Sequence, residues 1–216
     1  GKKEAGAYIG FFLRKGETLT VNIGTSFSSL SGAKGNLQKE VRNQSFAAVE
    51  SATRTKWEKE LGRINVKGTD EKAKRVFYTA LYHTMQHPRL MSDVDGTYPR
   101  FSGKNQLEKI SKGGYYDDFS MWDTYRAQLP LLEIIDPVLT NSLIRSLVLK
   151  GQQGGWLPIF PCWNSYTAAM IGDHVAAFIA GAWNKGLRDY DVPAAYALIR
   201  KNAFDTPGTY AEYKNG

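Results

Sequence analysis

The chain has 216 residues, of which 42% are hydrophobic and 23% charged, a composition that excludes a disordered tail, a collagen-like fibre and a disulfide-stapled scaffold. Its single cysteine, Cys162, excludes an internal disulfide and a cysteine-cluster metal site, and its longest apolar runs fall short of the roughly 18–20 residues of a membrane-crossing helix. The formal charge of +7 sits on basic residues scattered singly or in pairs, such as Lys2 with Lys3 and Arg200 with Lys201, which argues against a nucleic-acid partner because such a partner needs a basic face.

The first predicted elements are strands. Residues 7–13 are mostly apolar, and residues 18–24 alternate apolar and polar side chains around Leu19, Val21 and Ile23, the pattern of a half-buried strand. Together they read as a hairpin turning at residues 14–17. Two strands alone are marginal in water, so this sheet needs partners, and the absence of an initiator Met or leader at Gly1 is read as a chain beginning inside a larger protein. Residues 31–35 read as a linker. Residues 36–61 turn helical, with Phe46, Val49, Trp57 and Leu61 on one stripe and Gly62 as the stop. Residues 63–67 read as a short strand. A helix capped by Thr69 then runs through Phe77, Leu81 and Thr84 until Pro88 ends it.

Residues 89–118 read as one long polar loop. Helices are predicted at about 120–135, 137–152, 172–187 and 192–204, with Pro137 and Pro193 near first helical positions. Helices of this length alternating with Gly-, Trp- and Tyr-rich loops suggest helical hairpins stacked around an axis, with a site built from the loops at one end. Strands are expected mostly within residues 7–24 and 63–67.

Several constellations carry chemistry in principle. His83 and His87 stand four apart, a spacing that lets two imidazoles share a metal, yet the intervening Thr84-Met-Gln86 lacks the Glu of a zinc-protease helix; a structural or sugar-site role is the other reading. Ser92-Asp-Val-Asp-Gly96 opens like a calcium loop but has no oxygen ligands at Tyr98 and Arg100, so an Asp-Gly turn fits better. Gly151-Gln-Gln-Gly-Gly155 lacks the Lys-Ser/Thr of a phosphate loop, and Cys162 lacks a protease partner pattern.

The most informative segment is Tyr115-Tyr-Asp-Asp-Phe-Ser-Met-Trp-Asp-Thr-Tyr-Arg126. An indole face covers the C–H face of a pyranose while a neighbouring carboxylate accepts from its hydroxyls, and Arg126, three residues beyond Asp123, is placed to hold that carboxylate ionised. A buried Trp with a capping Asp and an ordinary salt bridge is the plain alternative. Gly155-Trp-Leu-Pro-Ile-Phe-Pro-Cys-Trp-Asn-Ser-Tyr166 adds a rigid aromatic loop containing Trp156, and Met170-Ile-Gly-Asp-His174 places Asp173 and His174 at a helix start, as a cap and core contact or as a charged site edge.

Five strings in this order resemble the glycoside hydrolase family 92 alpha-mannosidases: Phe77-Tyr-Thr-Ala-Leu-Tyr-His-Thr-Met-Gln-His-Pro88, Ser92-Asp-Val-Asp-Gly96, Phe119-Ser-Met-Trp-Asp-Thr-Tyr-Arg126, Gly155-Trp-Leu-Pro158 and Met170-Ile-Gly-Asp-His174. The resemblance implies a mainly α chain. Residues 1–35 would end an N-terminal β-sandwich, residues 36–68 would be linker helices, and residues 69–216 would form the first part of an (α/α)6 barrel. It implies an exo-acting, inverting, calcium-dependent enzyme that removes terminal α-mannose from glycans in a periplasm or at a cell surface. The sugar-binding set it implies is Trp122, Asp123, Arg126, Trp156, Asp173 and His174. The family's catalytic acid and base and most calcium ligands would lie outside this chain, so the chain alone is expected to be inactive and to work with the remainder of its polypeptide. The alternative is a non-catalytic carbohydrate-binding or structural helical module.

Overall fold

The computed structural model describes residues 7–103 and 106–205, which contain eight helices and four short strands. The expected hairpin of residues 7–24 is present only as its turn. Glu17 N donates to Arg14 O at 3.0 Å, Arg14 N donates to Glu17 Oε2 at 2.8 Å, and Gly16 takes the left-handed φ of 92° that the turn requires. The flanking residues form no strand, and Tyr8, Phe12 and Ile23 lie exposed. A ribbon whose apolar side chains meet no second layer lacks the burial that stabilises strand pairing.

The predicted linker at residues 31–35 is instead inside α1 (Leu30–Glu40), because Ser29 caps it by accepting from Gly32 N at 2.9 Å. Here a good cap outweighs two glycines. The helix expected over 36–61 is therefore two: α1, then a break containing Asn43 at φ 59°, then α2 (Phe46–Leu61) capped by Ser45 and closed at Gly62. No strand forms at 63–67; the Tyr78 hydroxyl accepts from Val66 N and donates to Ile64 O, satisfying backbone groups that a strand partner would otherwise take. α3 (Glu71–Thr84) is capped by Asp70 rather than Thr69 and ends four residues before Pro88.

Residues 89–118 are not one loop. β1 (Arg89–Leu90) pairs antiparallel with β4 (Tyr116–Asp117), with Arg89 opposite Asp117, and β2 (Thr97–Pro99) pairs with β3 (Leu107–Lys109). Asp93 and Gly96 close the Asp-Gly turn through Gly96 N to Asp93 O at 2.9 Å. The Asp93 carboxylate also accepts from Ser26 Oγ and from Asn36 Nδ2, tying α1 and the chain before it to this region.

The helix predicted over 120–135 is broken into α4 (Met121–Thr124) and α5 (Gln128–Ile135). α6 (Pro137–Gly154) begins with Pro137 after an Asp136 cap and stops at Gly155, whose φ of 93° no other residue type takes as cheaply. α7 (His174–Asn184) and α8 (Val192–Phe204) are the last elements among the described residues, the latter capped by Asp191. α6 is the central element. Its Leu143, Ile144, Leu147 and Val148 pack in one cluster with Leu129 and Leu132 of α5, Phe178 and Ile179 of α7 and Leu198 of α8. Each such leucine contributes about 1.5–3 kcal/mol by burial. A smaller cluster of Met91, Tyr98 and Tyr115 packs the strand region onto Leu149 of α6.

Candidate functional site

Met121 is fully buried and pins α4 to the core, which leaves the next two residues facing outward: Trp122 is 38% exposed and Asp123 is exposed. The Ser120 hydroxyl donates to Asp123 Oδ2 at 2.5 Å. Arg126 does not hold Asp123 as the spacing suggests. Its guanidinium lies 5.5 Å from the Trp122 ring and 4.9 Å from the Tyr125 ring. α4 is a single turn ending at Thr124, so Asp123 and Arg126 share no helix and the three-residue spacing does not bring them together.

From Arg126 the contacts run on across the surface. Tyr125 stacks on His174 with centroids 4.0 Å apart and planes at 5°. The His174 ring is wedged under Gly172, where an added Cβ would fall 2.5 Å from Nε2, and that nitrogen is buried with no hydrogen-bond partner. His174 Nε2 is therefore closed off by Gly172, and the ring serves as the stacking partner of Tyr125. Asp173 is exposed, yet loss of water around its carboxyl raises its pKa, against lowering by the Asn202 amide and by His174. Asn202 in turn exchanges hydrogen bonds with the backbone of Leu157, next to Trp156, whose ring carries Lys201 Nζ at 4.6 Å. Side-chain contacts thus join Trp122, Arg126 and His174 through Tyr125, with Asp123 and Asp173 as chain neighbours of Trp122 and His174, whereas Trp156 is tied to Asn202 through its neighbour Leu157.

A second cluster lies behind this edge. Lys150 of α6 is fully buried, with Nζ 2.7 Å from Asp117 Oδ1 and 2.7 Å from the Tyr115 hydroxyl. Burial lowers its pKa to about 8 despite the Asp117 charge. Asp117 Oδ2 accepts from Asn164 N at 2.6 Å, and the Asn164 side chain accepts from Tyr115 and donates to Pro99 O and Arg100 O. Asp118, Trp163 and Asn164 all take left-handed backbone conformations, at φ 63°, 54° and 56°. Such conformations cost about 1–3 kcal/mol each and persist only where the surroundings impose them. Here the Asp117 and Asp118 carboxylates impose them by accepting from Asn164 N and Trp163 N. The sequence marks Trp156 in the aromatic loop, whereas in the structure Trp163 of the same loop is the one that is 76% exposed. Lys150, an interior position on a helix, carried no motif at all.

Other candidates do not assemble. α3 ends at Thr84, so His83 and His87 are not on one helix face. Gly151 to Gly154 lie within α6 rather than in a phosphate-cradling loop. Burial pushes the Cys162 thiol up, and the Asp118 and Asp117 charges add to this, the opposite of what a nucleophile needs.

The glycosyl hydrolase family 92 catalytic domain matches this sequence over residues 32–216. This chain belongs to glycosyl hydrolase family 92. Among solved structures, the family 92 alpha-mannosidase BT3965 of Bacteroides thetaiotaomicron is similar at a TM-score of 0.79 and 29% identity, over 88% of this chain and 25% of that one; the same protein has also been solved with mannoimidazole. The family 92 inverting mannosidase BT2199 of Bacteroides thetaiotaomicron VPI-5482 is similar at 0.77 and 26%, over 87% of this chain and 25% of that one. The family 92 glycosyl hydrolase ccman5 follows at 0.67 and 25%, over 81% and 24%. No curated protein matches. The chain spans about a quarter of the length of these solved family 92 relatives.

The calcium implied by the family resemblance does not fit the described residues of this family 92 chain. Calcium takes six to eight oxygen ligands, and among the described residues no group of three or more His, Cys, Asp or Glu is placed to hold a metal. The candidate carboxylates are also engaged: Asp93 by Ser26 and Asn36, Asp95 by Thr97 and Lys109, Asp117 by Lys150, and Asp118 by Arg89.

Proposed function

We propose that the polypeptide carrying this family 92 chain is an exo-acting, inverting α-mannosidase that removes terminal α-mannose from glycans in a periplasm or at a cell surface. The match over residues 32–216 carries this reading, together with the 29% identity to a solved alpha-mannosidase. In this reading residues 69–216 are the first part of an (α/α)6 barrel, residues 36–68 its helical linker, and residues 1–35 the end of a β-sandwich. The exposed apolar side chains of Tyr8, Phe12, Val21 and Ile23 support the last assignment, since they await a second layer.

The chain contributes sugar recognition. Trp122 offers an indole face to the C–H face of the terminal mannose. The Asp123 carboxylate, already oriented by Ser120, accepts from its hydroxyls. Arg126 lies against Trp122 and Tyr125 and fixes the tilt of both rings. Tyr125 stacked on His174 continues the wall toward Asp173 and Trp156. An inverting hydrolase needs a general acid for the leaving oxygen and a base for water, about 6.5–9.5 Å apart; in this reading both, with most of the calcium ligands, come from the rest of the polypeptide.

The test is hydrolysis of α-mannobiose by the complete polypeptide, followed by proton NMR of the first-formed anomer. β-Mannose is the expected product. α-Mannose would overturn inversion, and no turnover would overturn the mannosidase reading in favour of a binding module.

A further inference from the structure

We infer that Lys150, fully enclosed near the end of α6, is a positioning residue for the Asp123 carboxylate: it fixes the junction of residues 117–120 on which the Ser120 hydroxyl stands. This rests on the mannosidase reading, in which Asp123 accepts from the sugar.

The Lys150 ammonium is a node with one acceptor for each of its N–H donors. Nζ stands 2.7 Å from Asp117 Oδ1, 2.7 Å from the Tyr115 hydroxyl and 3.4 Å from Asn164 Oδ1. Tyr115 and Asp117 belong to the segment that leads through β4 into α4, and Asn164 belongs to the loop beside it. The Tyr115 and Phe101 rings close over the cation at 4.1 and 4.9 Å. Lys150, Tyr115 and Asp117 have no exposed surface in a chain that spans about a quarter of its relatives' length. Further polypeptide only removes solvent, so this node is equally buried in the complete protein.

From the node to α4 every residue is held. Asp117 is anchored by Lys150 and turns its other oxygen to Asn164 N at 2.6 Å. Asp118 takes the left-handed φ of 63°, pairs with Arg89 and accepts from Trp163 N. Phe119 lies in the core and donates its N–H to Pro161 O at 3.1 Å, and Met121 is fully buried. Between these fixed points the Ser120 hydroxyl is left on Asp123 Oδ2. An ion pair this deep gains little stability over apolar side chains of equal volume, because desolvation offsets its attraction. What apolar packing lacks is direction. The two Asp117 oxygens hold two segments at set angles, and the strain at Asp118 persists only because its surroundings impose it. Both features lie directly before Ser120, where a carboxylate that must meet ligand hydroxyls needs fixed geometry.

The experiment measures mannoimidazole affinity of the complete polypeptide by calorimetry, with urea denaturation on the same preparations. The main variant is the neutral pair, Lys150→Met with Asp117→Asn, which leaves no unpaired buried charge and therefore stays folded. Its affinity should fall about tenfold, within what one charged hydrogen bond to a ligand contributes, while its stability stays close to that of wild type. Combined with Asp123→Ala, it should lower affinity no further than Asp123→Ala alone, since both act through one carboxylate. Leu147→Ala, one turn earlier in the same core, should lose stability and keep affinity. Unchanged affinity in the neutral pair, a loss that adds to that of Asp123→Ala, or an equal loss in Leu147→Ala would overturn the positioning role and leave the mannosidase reading intact. A wild type that binds no mannoimidazole and turns over no mannobiose would overturn both.

Discussion

Lys150→Met removes the ammonium from a side chain with no exposed surface and leaves the Asp117 carboxylate, equally buried, without its counter-charge. Asp117 would retain the Asn164 N–H at 2.6 Å, and the Tyr115 hydroxyl would lose Lys150 as a donor while keeping its own bond to Asn164. Breaking a buried pair from one side costs about 3–5 kcal/mol, and methionine fills the volume of the lysine stem, so little of the loss would come from a cavity. The double variant Lys150→Met with Asp117→Asn should recover most of it, because a neutral amide still accepts from Asn164 N and no buried charge remains. Urea denaturation of wild type, both single variants and the double variant gives the coupling directly as a cycle. A loss below about 1 kcal/mol for Lys150→Met, or no coupling with Asp117, would refute the idea that this pair holds the loop carrying Trp163.

Stability should rise between about pH 8 and pH 10, because native Lys150 titrates near 8 while the unfolded lysine keeps its proton to about 10.5, so unfolding takes up a proton across that window. Above pH 10 the buried tyrosines, raised by desolvation at Tyr98 and Tyr116, act in the opposite direction, and in Lys150→Met the rise should vanish. Leu147→Ala, at a fully buried position in the middle of α6, should cost about 2–5 kcal/mol by chemical denaturation without changing the secondary-structure signal. Gly172→Ala should cost about 1–3 kcal/mol, because its φ of 87° suits glycine and the new Cβ would strike His174; a changed near-UV spectrum from displaced Tyr125 would accompany it.

The long helices were legible because their signals are local. Asp191 with Pro193, and Asp136 with Pro137, mark starts that the structure keeps, and the apolar spacing of Leu143, Ile144 and Leu147 marks the face that becomes core. The strand expectations failed for a non-local reason. Residues 18–24 alternate as a strand would, but pairing needs a covering layer that these residues do not meet, and two- and three-residue strands such as β1 and β2 leave no periodicity to read. Side-chain satisfaction of the backbone, as by Tyr78 at residues 64–66, is equally invisible in a pattern. At the site, Trp122, Asp123 and His174 could be picked out by residue chemistry at element boundaries. Helical spacing does not carry Arg126 to Asp123, because the helix ends at Thr124. Trp163, Arg89 and Asp118 come from separate segments, and only the fold, through β1, β4 and Lys150, brings them to one cleft.

The measurement that tests sugar recognition by this chain most directly is the affinity of mannoimidazole for the complete polypeptide and for its Asp123→Ala variant, with melting temperature taken on the same preparations. Asp123 is exposed and bonds only to Ser120 among the described residues, so its loss should leave the melting temperature nearly unchanged. Affinity should fall by about 1.5–3 kcal/mol, roughly 10- to 150-fold, as expected for a charged hydrogen bond to a ligand hydroxyl. Unchanged affinity in a variant that melts early would make Asp123 a scaffold residue and contradict the assignment.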